Sequence, residues 1–195
     1  MNIIKSVLLT GVGGQGILLA SNVLARAALF AGHDVKTNEV HGMAQRGGSV
    51  VAEIRYGEKV HSPLIEPRSA IAIASLEQME ALRYAHYLSP NGVAVVSKLR
   101  LVPTTVSSGM GAYPDDMEDR LKRSFRQLKY IDAAAAAEKA GNAKANNMVI
   151  LGCLSGVLDF SDDVWEKAIR HCVKPKLVDM NILAFTLGKE LYGNA

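Results

Sequence analysis

The apolar residues of this chain fall into short runs whose spacing changes between that of strands and that of helices. Residues 4–12 are almost continuously apolar and end in glycines, which is typical of a buried strand before a tight turn. Residues 17–31 are rich in helix formers and stop at Gly32, whereas residues 50–56 alternate apolar and polar side chains like a half-buried strand. The same criteria predict strands over 35–40, 70–74, 93–96 and 129–132, helices over 77–85, 133–140, 147–158 and 175–192, and two more helices that begin at 114–116 and 161–163.

The order of these elements predicts the fold class. Strands that alternate with helices are typical of a mostly parallel sheet with helices on both faces. We therefore expect a three-layer α/β/α, Rossmann-like fold with a helical C-terminal part. A turn is expected at residues 90–92, where Pro-Asn-Gly precedes a strand. No linker rich in proline, glycine or serine divides the chain, so we expect a single domain over residues 1–195.

Composition and charge argue against several classes of protein. The formal net charge is +3 without a block of Lys or Arg, so the sequence does not suggest nucleic-acid binding, and we interpret the basic stretch at 120–129 as one solvated helix face. Cys153 and Cys172 lie far apart and no CxxC occurs, so we expect no disulfide framework, no metal site and a cytoplasmic location. No segment reaches the roughly 20 apolar residues of a membrane span.

A glycine cluster, GVGGQG over residues 11–16, is the first candidate site. Gly11, Gly13 and Gly16 match the dinucleotide fingerprint G-x-G-x-x-G, with a predicted strand before it and a predicted helix after it. Glycine allows the backbone to approach an anion closely, and the N-terminus of the following helix favours negative charge. A tight turn that binds nothing is the alternative. The candidate contacts are Gly11, Gly13, Gly14, Gln15 and Gly16.

Two kinds of nucleotide enzyme carry a turn of this type. A nicotinamide or flavin enzyme expects an acidic residue about 20 residues further on, at the end of the second strand, and Glu39 suits that position. No second constellation for hydride transfer accompanies it. Adenylating enzymes carry the motif G-x-G-G-x-G, which residues 11–16 match more closely. The Asp-rich second strand and the CxxC pairs of those enzymes are missing from this sequence. A stand-alone NAD, FAD or ATP enzyme therefore stays an alternative.

The polar stretch that ends in QRGG is the second candidate site. His41 and Gln45 are one helical turn apart, and the guanidinium of Arg46 offers a planar fork for carboxylate or phosphate. Gly47 and Gly48 would permit close backbone approach. His41 alone is more simply explained as a structural histidine, and Arg46 could form a structural salt bridge. Polar side chains beside a glycine pair make a poor core, however, so the stretch as a whole favours a functional site or an interface.

Together the two motifs resemble a known family. The stretches GVGGQGILLASNVLARAA and EVHGMAQRGGSVV are similar to the gamma-type domain of the 2-oxoacid:acceptor oxidoreductases. The similarity continues through SSGMGAYPDD and GNAKANNMVILGCLSG, so that it covers nearly the whole chain. The combination of residues 13–16 with residues 45–48 is specific, whereas either motif alone would be weak. Within the family, the motifs most resemble the small subunits of its indolepyruvate-oxidising members.

The resemblance implies a non-autonomous subunit of a 2-oxoacid:ferredoxin oxidoreductase, which converts a 2-oxoacid and coenzyme A to an acyl-CoA and CO2. It implies thiamine diphosphate and iron–sulfur clusters in a large alpha subunit, ferredoxin as the electron acceptor, and indolepyruvate or another arylpyruvate as the substrate. This chain has no Gly-Asp-Gly of a thiamine diphosphate site and too few cysteines for a cluster. We therefore expect it to hold no cofactor and to supply no catalytic residue. Both glycine motifs would then face the large subunit and its active site, with coenzyme A near them.

Two further hypotheses accompany this interpretation. Asn146 and Asn147 match an asparagine that precedes an apolar helix in the family, and their simplest role is to cap the predicted helix over 147–158. The chain as a whole could also be a pure interaction module, in which the glycine cluster binds no small ligand.

Overall fold

The computed structural model describes residues 4–42, 47–102 and 112–194. The strands in these ranges are β1 (Lys5–Val12), β2 (Asp34–His41), β3 (Ser49–Gly57), β4 (Ala70–Ser75), β5 (Leu88–Ser97) and β6 (Gln127–Ile131). The helices are α1 (Ile17–Phe30), α2 (Gln78–Arg83), α3 (Met117–Ser124), α4 (Ala133–Lys139), α5 (Asn146–Ser155), α6 (Asp162–Cys172) and α7 (Val178–Asn194), with short 3₁₀ helices at Ala85–Tyr87, Ala143–Ala145 and Pro175–Leu177.

The strands form one sheet that is mostly parallel, as expected, in the order β2-β3-β1-β4-β5-β6. β1, β4, β5 and β6 pair in parallel, one with the next. β3 runs against both of its neighbours, β1 and β2. Because β3 is inserted between β1 and β2, helix α1 does not make the usual crossover to an adjacent parallel strand, and β2 lies at the edge of the sheet.

Helices cover both faces of this sheet and complete the three predicted layers. Successive side chains of a strand point to opposite faces, so that Val7 and Leu9 of β1 enter one core and Leu8 enters the other. The first core also contains residues of α1 and of α4–α7, and the second contains residues of α2 and α3. Every helix after β6 therefore packs on the same face. Among the described residues, no helix combines the length and the apolar character that a bilayer crossing requires.

The turn predicted at residues 90–92 is wrong, because these residues lie inside β5. There the register changes from Ala70 opposite Leu88 to Ala72 opposite Val93. Between these two pairs β4 advances by two residues and β5 by five, so that β5 bulges before its regular pairing begins.

The single helix face predicted over 120–129 is also wrong in its second half. Helix α3 ends at Ser124, because Phe125 adopts extended backbone and is buried. β6 then begins at Gln127 and continues the sheet beside β5. The pairing of β6 with β5 joins segments that are distant in sequence. The charge pattern along the chain therefore does not predict it.

Helices α5 and α7 cross where two glycines remove side chains from the contact. A Cβ atom added at Gly152 would lie 2.0 Å from the carbonyl oxygen of Phe185. One added at Gly188 would lie 2.0 Å from the carbonyl oxygen of Val149. The two backbones therefore touch directly, in the middle of the core that covers one face of the sheet.

We predict that Gly152→Ala and Gly188→Ala each lower the free energy of unfolding by about 1–3 kcal/mol or more, because an added methyl group forces these helices apart. Urea denaturation measures the change. Gly193→Ala is the matched control in the same helix α7, since a Cβ atom there meets nothing within 4 Å. It should be neutral or stabilising by up to about 1 kcal/mol. Equal stability of all three variants would contradict the close crossing.

Candidate functional site

The glycine cluster forms the turn between β1 and α1. Gly14 and Gly16 have backbone φ angles of 98° and 82°, in the left-handed region where side chains are strained. Gly16 is the N-cap residue of α1, and no side chain caps that helix end. The turn thus lies at the carboxyl end of β1, beside the carboxyl end of the parallel strand β4. α1 leaves over one face of the sheet and α2 over the other, which makes this crevice a topological switch point, the usual ligand position in α/β sheets.

The side chain of Gln15 fills that crevice. Its Oε1 accepts a hydrogen bond of 2.6 Å from the backbone N–H of Val12, and its Nε2 donates one of 3.1 Å to the carbonyl oxygen of Leu76. A Cβ atom added at Gly11 would lie 2.6 Å from the same Oε1. Gln15 therefore braces the turn against the loop after β4, and the crevice is occupied by the protein's own amide group.

Asn147 supports the turn from the opposite side. It is 3% exposed, and its Nδ2 donates a hydrogen bond of 3.1 Å to the carbonyl oxygen of Gly16. A Cβ atom at Gly16 would lie 2.5 Å from this Nδ2, so only glycine fits between them. The predicted capping role is wrong: the N-cap residue of α5 is Ala145, and Asn146 and Asn147 lie within its first turn. The buried amide of Asn147 instead connects α5 to a turn 131 residues earlier.

The second motif lies directly against the first. The backbone N–H of Gly13 donates a hydrogen bond of 2.8 Å to the carbonyl oxygen of Gly48, and the N–H of Gly47 donates one of 3.5 Å to that of Gly13. The structure thus brings the two predicted glycine motifs together at one edge of the sheet. Gln45 and Arg46 lie outside the described residues.

A carboxylate that sequence reasoning missed holds this second motif in place. The hydroxyl of Ser49, the residue after Gly48, donates to a carboxylate oxygen of Glu80 and lies 3.2 Å from the hydroxyl of Tyr84. Arg83 Nε donates to the other Glu80 oxygen at 3.0 Å. Glu80 is 5% exposed, and the hydrogen bonds from Ser49 and Arg83 compensate its buried charge.

A cavity of about 510 Å³ opens beside the two motifs. Its lining residues come from the glycine turn, the first turn of α1 and the start of β3, and they are mostly apolar. Leu18, one of them, is 43% exposed. His41 lies at the end of β2 and contributes the imidazole at the rim.

Glu39 is not among the residues that line this cavity. It is exposed on β2, where it lies opposite Ala52 of β3, and Ala52 in turn lies opposite Leu9 of β1. Two strand spacings, or about 10 Å, therefore separate Glu39 from β1. The inserted strand β3 occupies the place next to β1 at which a dinucleotide fold keeps its ribose-binding acid.

The sequence matches the family model described as pyruvate ferredoxin/flavodoxin oxidoreductase over residues 6–191. This chain belongs to that family. It is 41% identical to the indolepyruvate oxidoreductase subunit IorB of Thermococcus kodakarensis, over 96% of this chain and 98% of that protein. It is 40% identical to the IorB subunit of Archaeoglobus fulgidus, over 94% of this chain and 92% of that protein.

A solved structure shares the fold. The gamma subunit of a keto/oxoacid ferredoxin oxidoreductase from Geobacter sulfurreducens superimposes with a TM-score of 0.72 at 23% identity, over 98% of this chain and 99% of that one. The resemblance that the two motifs indicated is thus confirmed at the level of the oxidoreductase family and of its α/β fold.

For a member of an oxidoreductase family, the described lining of this cavity carries few reactive groups. His41 is the one titratable side chain among the described residues that line the cavity. The described ranges contain no group of three or more His, Cys, Asp or Glu that could hold a metal ion. Burial raises the pKa of Cys153 to about 12 and also raises the pKa of Cys172, so that neither thiol is a ready thiolate at neutral pH.

A second buried carboxylate in this family member organises the loops at the carboxyl ends of β4 and β5. Glu77 is 1% exposed and accepts hydrogen bonds from the N–H groups of Met79 and Glu80 at the start of α2. Its other oxygen accepts from the N–H of Leu101 at 3.3 Å and from the hydroxyl of Tyr113 at 2.6 Å. Burial and the bond to Glu77 raise the pKa of Tyr113 above its usual range. The sequence gives no N-cap signal at Glu77, because helix N-caps are usually Ser, Thr, Asp or Asn.

We predict that Gln15→Leu lowers the free energy of unfolding by about 1–3 kcal/mol, because it leaves the N–H of Val12 and the carbonyl of Leu76 without partners. Thermal or urea denaturation measures this. The control is Gln127→Leu, which removes a hydrogen bond of 2.9 Å to Asn91 at an exposed site and should change stability by less than about 0.5 kcal/mol. Equal effects of the two substitutions would contradict a bracing role for Gln15.

Proposed function

We propose that this chain is a non-autonomous subunit of a 2-oxoacid:ferredoxin oxidoreductase, acting on indolepyruvate or another arylpyruvate. The complex would decarboxylate the 2-oxoacid oxidatively with coenzyme A to an acyl-CoA and CO2, and pass electrons to ferredoxin. Family membership supports this proposal, as do two relatives at about 40% identity that carry the name of indolepyruvate oxidoreductase subunits.

The observation that carries the proposal is the backbone pairing of Gly13 with Gly47 and Gly48. It joins both motifs into one continuous rim around an apolar cavity. The polar side chains beneath this rim, Gln15 and Asn147, are used to hold the backbone. Among the described residues, what faces outward is backbone, apolar surface and His41, which suits contact with a partner subunit at its active site.

The described residues do not fit the cofactors that such a reaction needs. Thiamine diphosphate requires a divalent cation held by oxygen ligands, and no carboxylate lines the cavity in the described part of the chain. Iron–sulfur clusters require thiolates, and Cys153 and Cys172 lie in different helices with raised pKa values. We therefore assign both groups to a large alpha subunit in this proposal, with coenzyme A as a co-substrate that approaches the glycine rim.

The alternative is a stand-alone nucleotide enzyme that uses the glycine turn. The left-handed glycines and the N-terminus of α1 favour it. Against it, the amide of Gln15 occupies the crevice, and the N–H of Gly13 is bonded to Gly48. Glu39 also lies about two strands from β1. We expect calorimetry on the purified chain to show no binding of NAD, NADP, FAD or ATP, and micromolar binding of any of them would favour this alternative.

The activity itself tests the subunit proposal. The purified chain should reduce no dye with indolepyruvate and coenzyme A, whereas co-purification with its large subunit should give activity that depends on both substrates. Pyruvate and 2-oxoglutarate serve as comparison substrates, and the aryl assignment requires a lower kcat/KM for both. Robust activity of this chain alone would overturn the subunit proposal, and preference for a non-aryl acid would overturn only the aryl assignment.

Arg46 separates a role in catalysis from a role in assembly. We expect Arg46→Ala to leave the complex assembled but to lower kcat/KM at least about tenfold, the effect of losing one charge-assisted hydrogen bond. Size-exclusion chromatography and the dye assay measure the two properties. Arg123→Ala, an exposed residue of α3 that pairs with Asp116, is the control and should change neither. Failed assembly of Arg46→Ala would indicate an interface residue, and no effect would remove Arg46 from the site.

A further inference from the structure

A second cavity, of about 240 Å³, lies at the end of the strands opposite to the glycine turn. Its walls come from the residues just before β4, from the irregular start of β5 and from the connection between α3 and β6. The cavity is therefore at the amino ends of the strands whose carboxyl ends lie on the side of the glycine turn. The length of β4, about 20 Å, separates the two cavities. It is thus a different site from the glycine rim.

Three basic residues line this cavity, and no acidic residue does in the described part of the chain. They are Arg68, His86 and Arg126. None of the three side chains makes an ion pair or hydrogen bond with another described residue. The C-terminus of α3 at Ser124 would favour one cation nearby, but it does not explain why two guanidinium groups and an imidazole share one concavity.

The backbone is irregular at the same place. Arg68 is the one described non-glycine residue with a positive φ, at 63°. Its N–H donates a hydrogen bond of 3.0 Å to the carbonyl oxygen of His86, which ties two walls of the cavity together. Strained residues concentrate at functional sites. At a position without such a role, glycine or asparagine would relieve the strain. The opposite wall is the bulged stretch of β5, which contributes Ser89 and Gly92.

We propose that this pocket binds a phosphate group, either as inorganic phosphate or as a small phosphate monoester. The guanidinium groups of Arg68 and Arg126 present planar forks of donors, and the hydroxyls of Ser89 and Ser124 line the same pocket. A phosphate carries a charge of about −1.5 to −2 and presents its oxygens tetrahedrally, which suits donors on several walls of a pocket, whereas a carboxylate carries one charge and presents two oxygens in one plane. The cavity is smaller than the roughly 300 Å³ at which sites for drug-sized ligands begin, which favours a small anion.

Calorimetric titration of the full chain with inorganic phosphate and with phenyl phosphate, at constant chloride concentration, tests the proposal. We expect saturable binding that Arg126→Gln weakens at least about tenfold. Arg123→Gln on α3 does not line the cavity and should bind like the wild type. Tighter binding of phenyl phosphate identifies a monoester site, and equal or tighter binding of inorganic phosphate identifies a phosphate site. Absence of saturable binding, or wild-type binding by Arg126→Gln, would overturn the proposal.

Arg68→Gly separates binding from folding. Glycine adopts a φ of 63° without strain, so the melting temperature in the absence of phosphate should stay constant or rise. Phosphate affinity should nevertheless fall at least about tenfold. A lower melting temperature with unchanged affinity would assign Arg68 a structural role and contradict the proposal. Neither experiment uses a 2-oxoacid or a partner subunit, so its outcome is independent of the oxidoreductase proposal.

Discussion

The hydrogen bonds of the Gln15 side chain hold together the edge of the sheet on which the functional interpretation depends. One amide group joins the backbone of Val12 at the end of β1 to that of Leu76 after β4. The turn that it fixes presents Gly13 to Gly48, and this backbone pairing places the second motif. The amide of Gln15 fills the crevice at the switch point. A motif that binds nucleotides in other α/β folds is therefore held here by the hydrogen bonds of its own side chain.

The buried carboxylates at this edge, like the amide of Gln15, form hydrogen bonds that hold the surrounding loops in place. Glu77 receives four hydrogen bonds and fixes Leu101 and Tyr113 against the start of α2, and Glu80 fixes Ser49 at the start of β3. Buried acidic groups with several partners hold loops in one geometry more than they offer reactivity. In the described part of the rim, the outward surface consists of backbone, of apolar side chains such as Leu18 and of His41. This distribution agrees with a subunit that shapes a partner's active site.

Local patterns along the chain were sufficient for most of the elements and for the two motifs. The strand before the glycine cluster, the helix after it and the late apolar helices were predicted, because hydrophobic period and glycine positions are local properties. The insertion of β3 beside β1 was not, since pairing of distant strands leaves no local trace. For the same reason the contact of Asn147 with Gly16 and the bond between Tyr113 and Glu77 became visible only in three dimensions. A capping asparagine and a buried bridging asparagine look alike in sequence.

Hydrogen–deuterium exchange of this chain, alone and in complex with the proposed large subunit, tests the central claim most directly. We predict that complex formation slows amide exchange at residues 12–19 and 47–50, where the glycine rim and the first turn of α1 surround the cavity. Helix α6, which contributes no residue to the cavity or to the two motifs, serves as the internal reference and should exchange equally in both samples. Protection confined to α6 or to other distant surfaces, with unchanged exchange at the rim, would contradict the assignment of the glycine rim as the face toward the partner's active site.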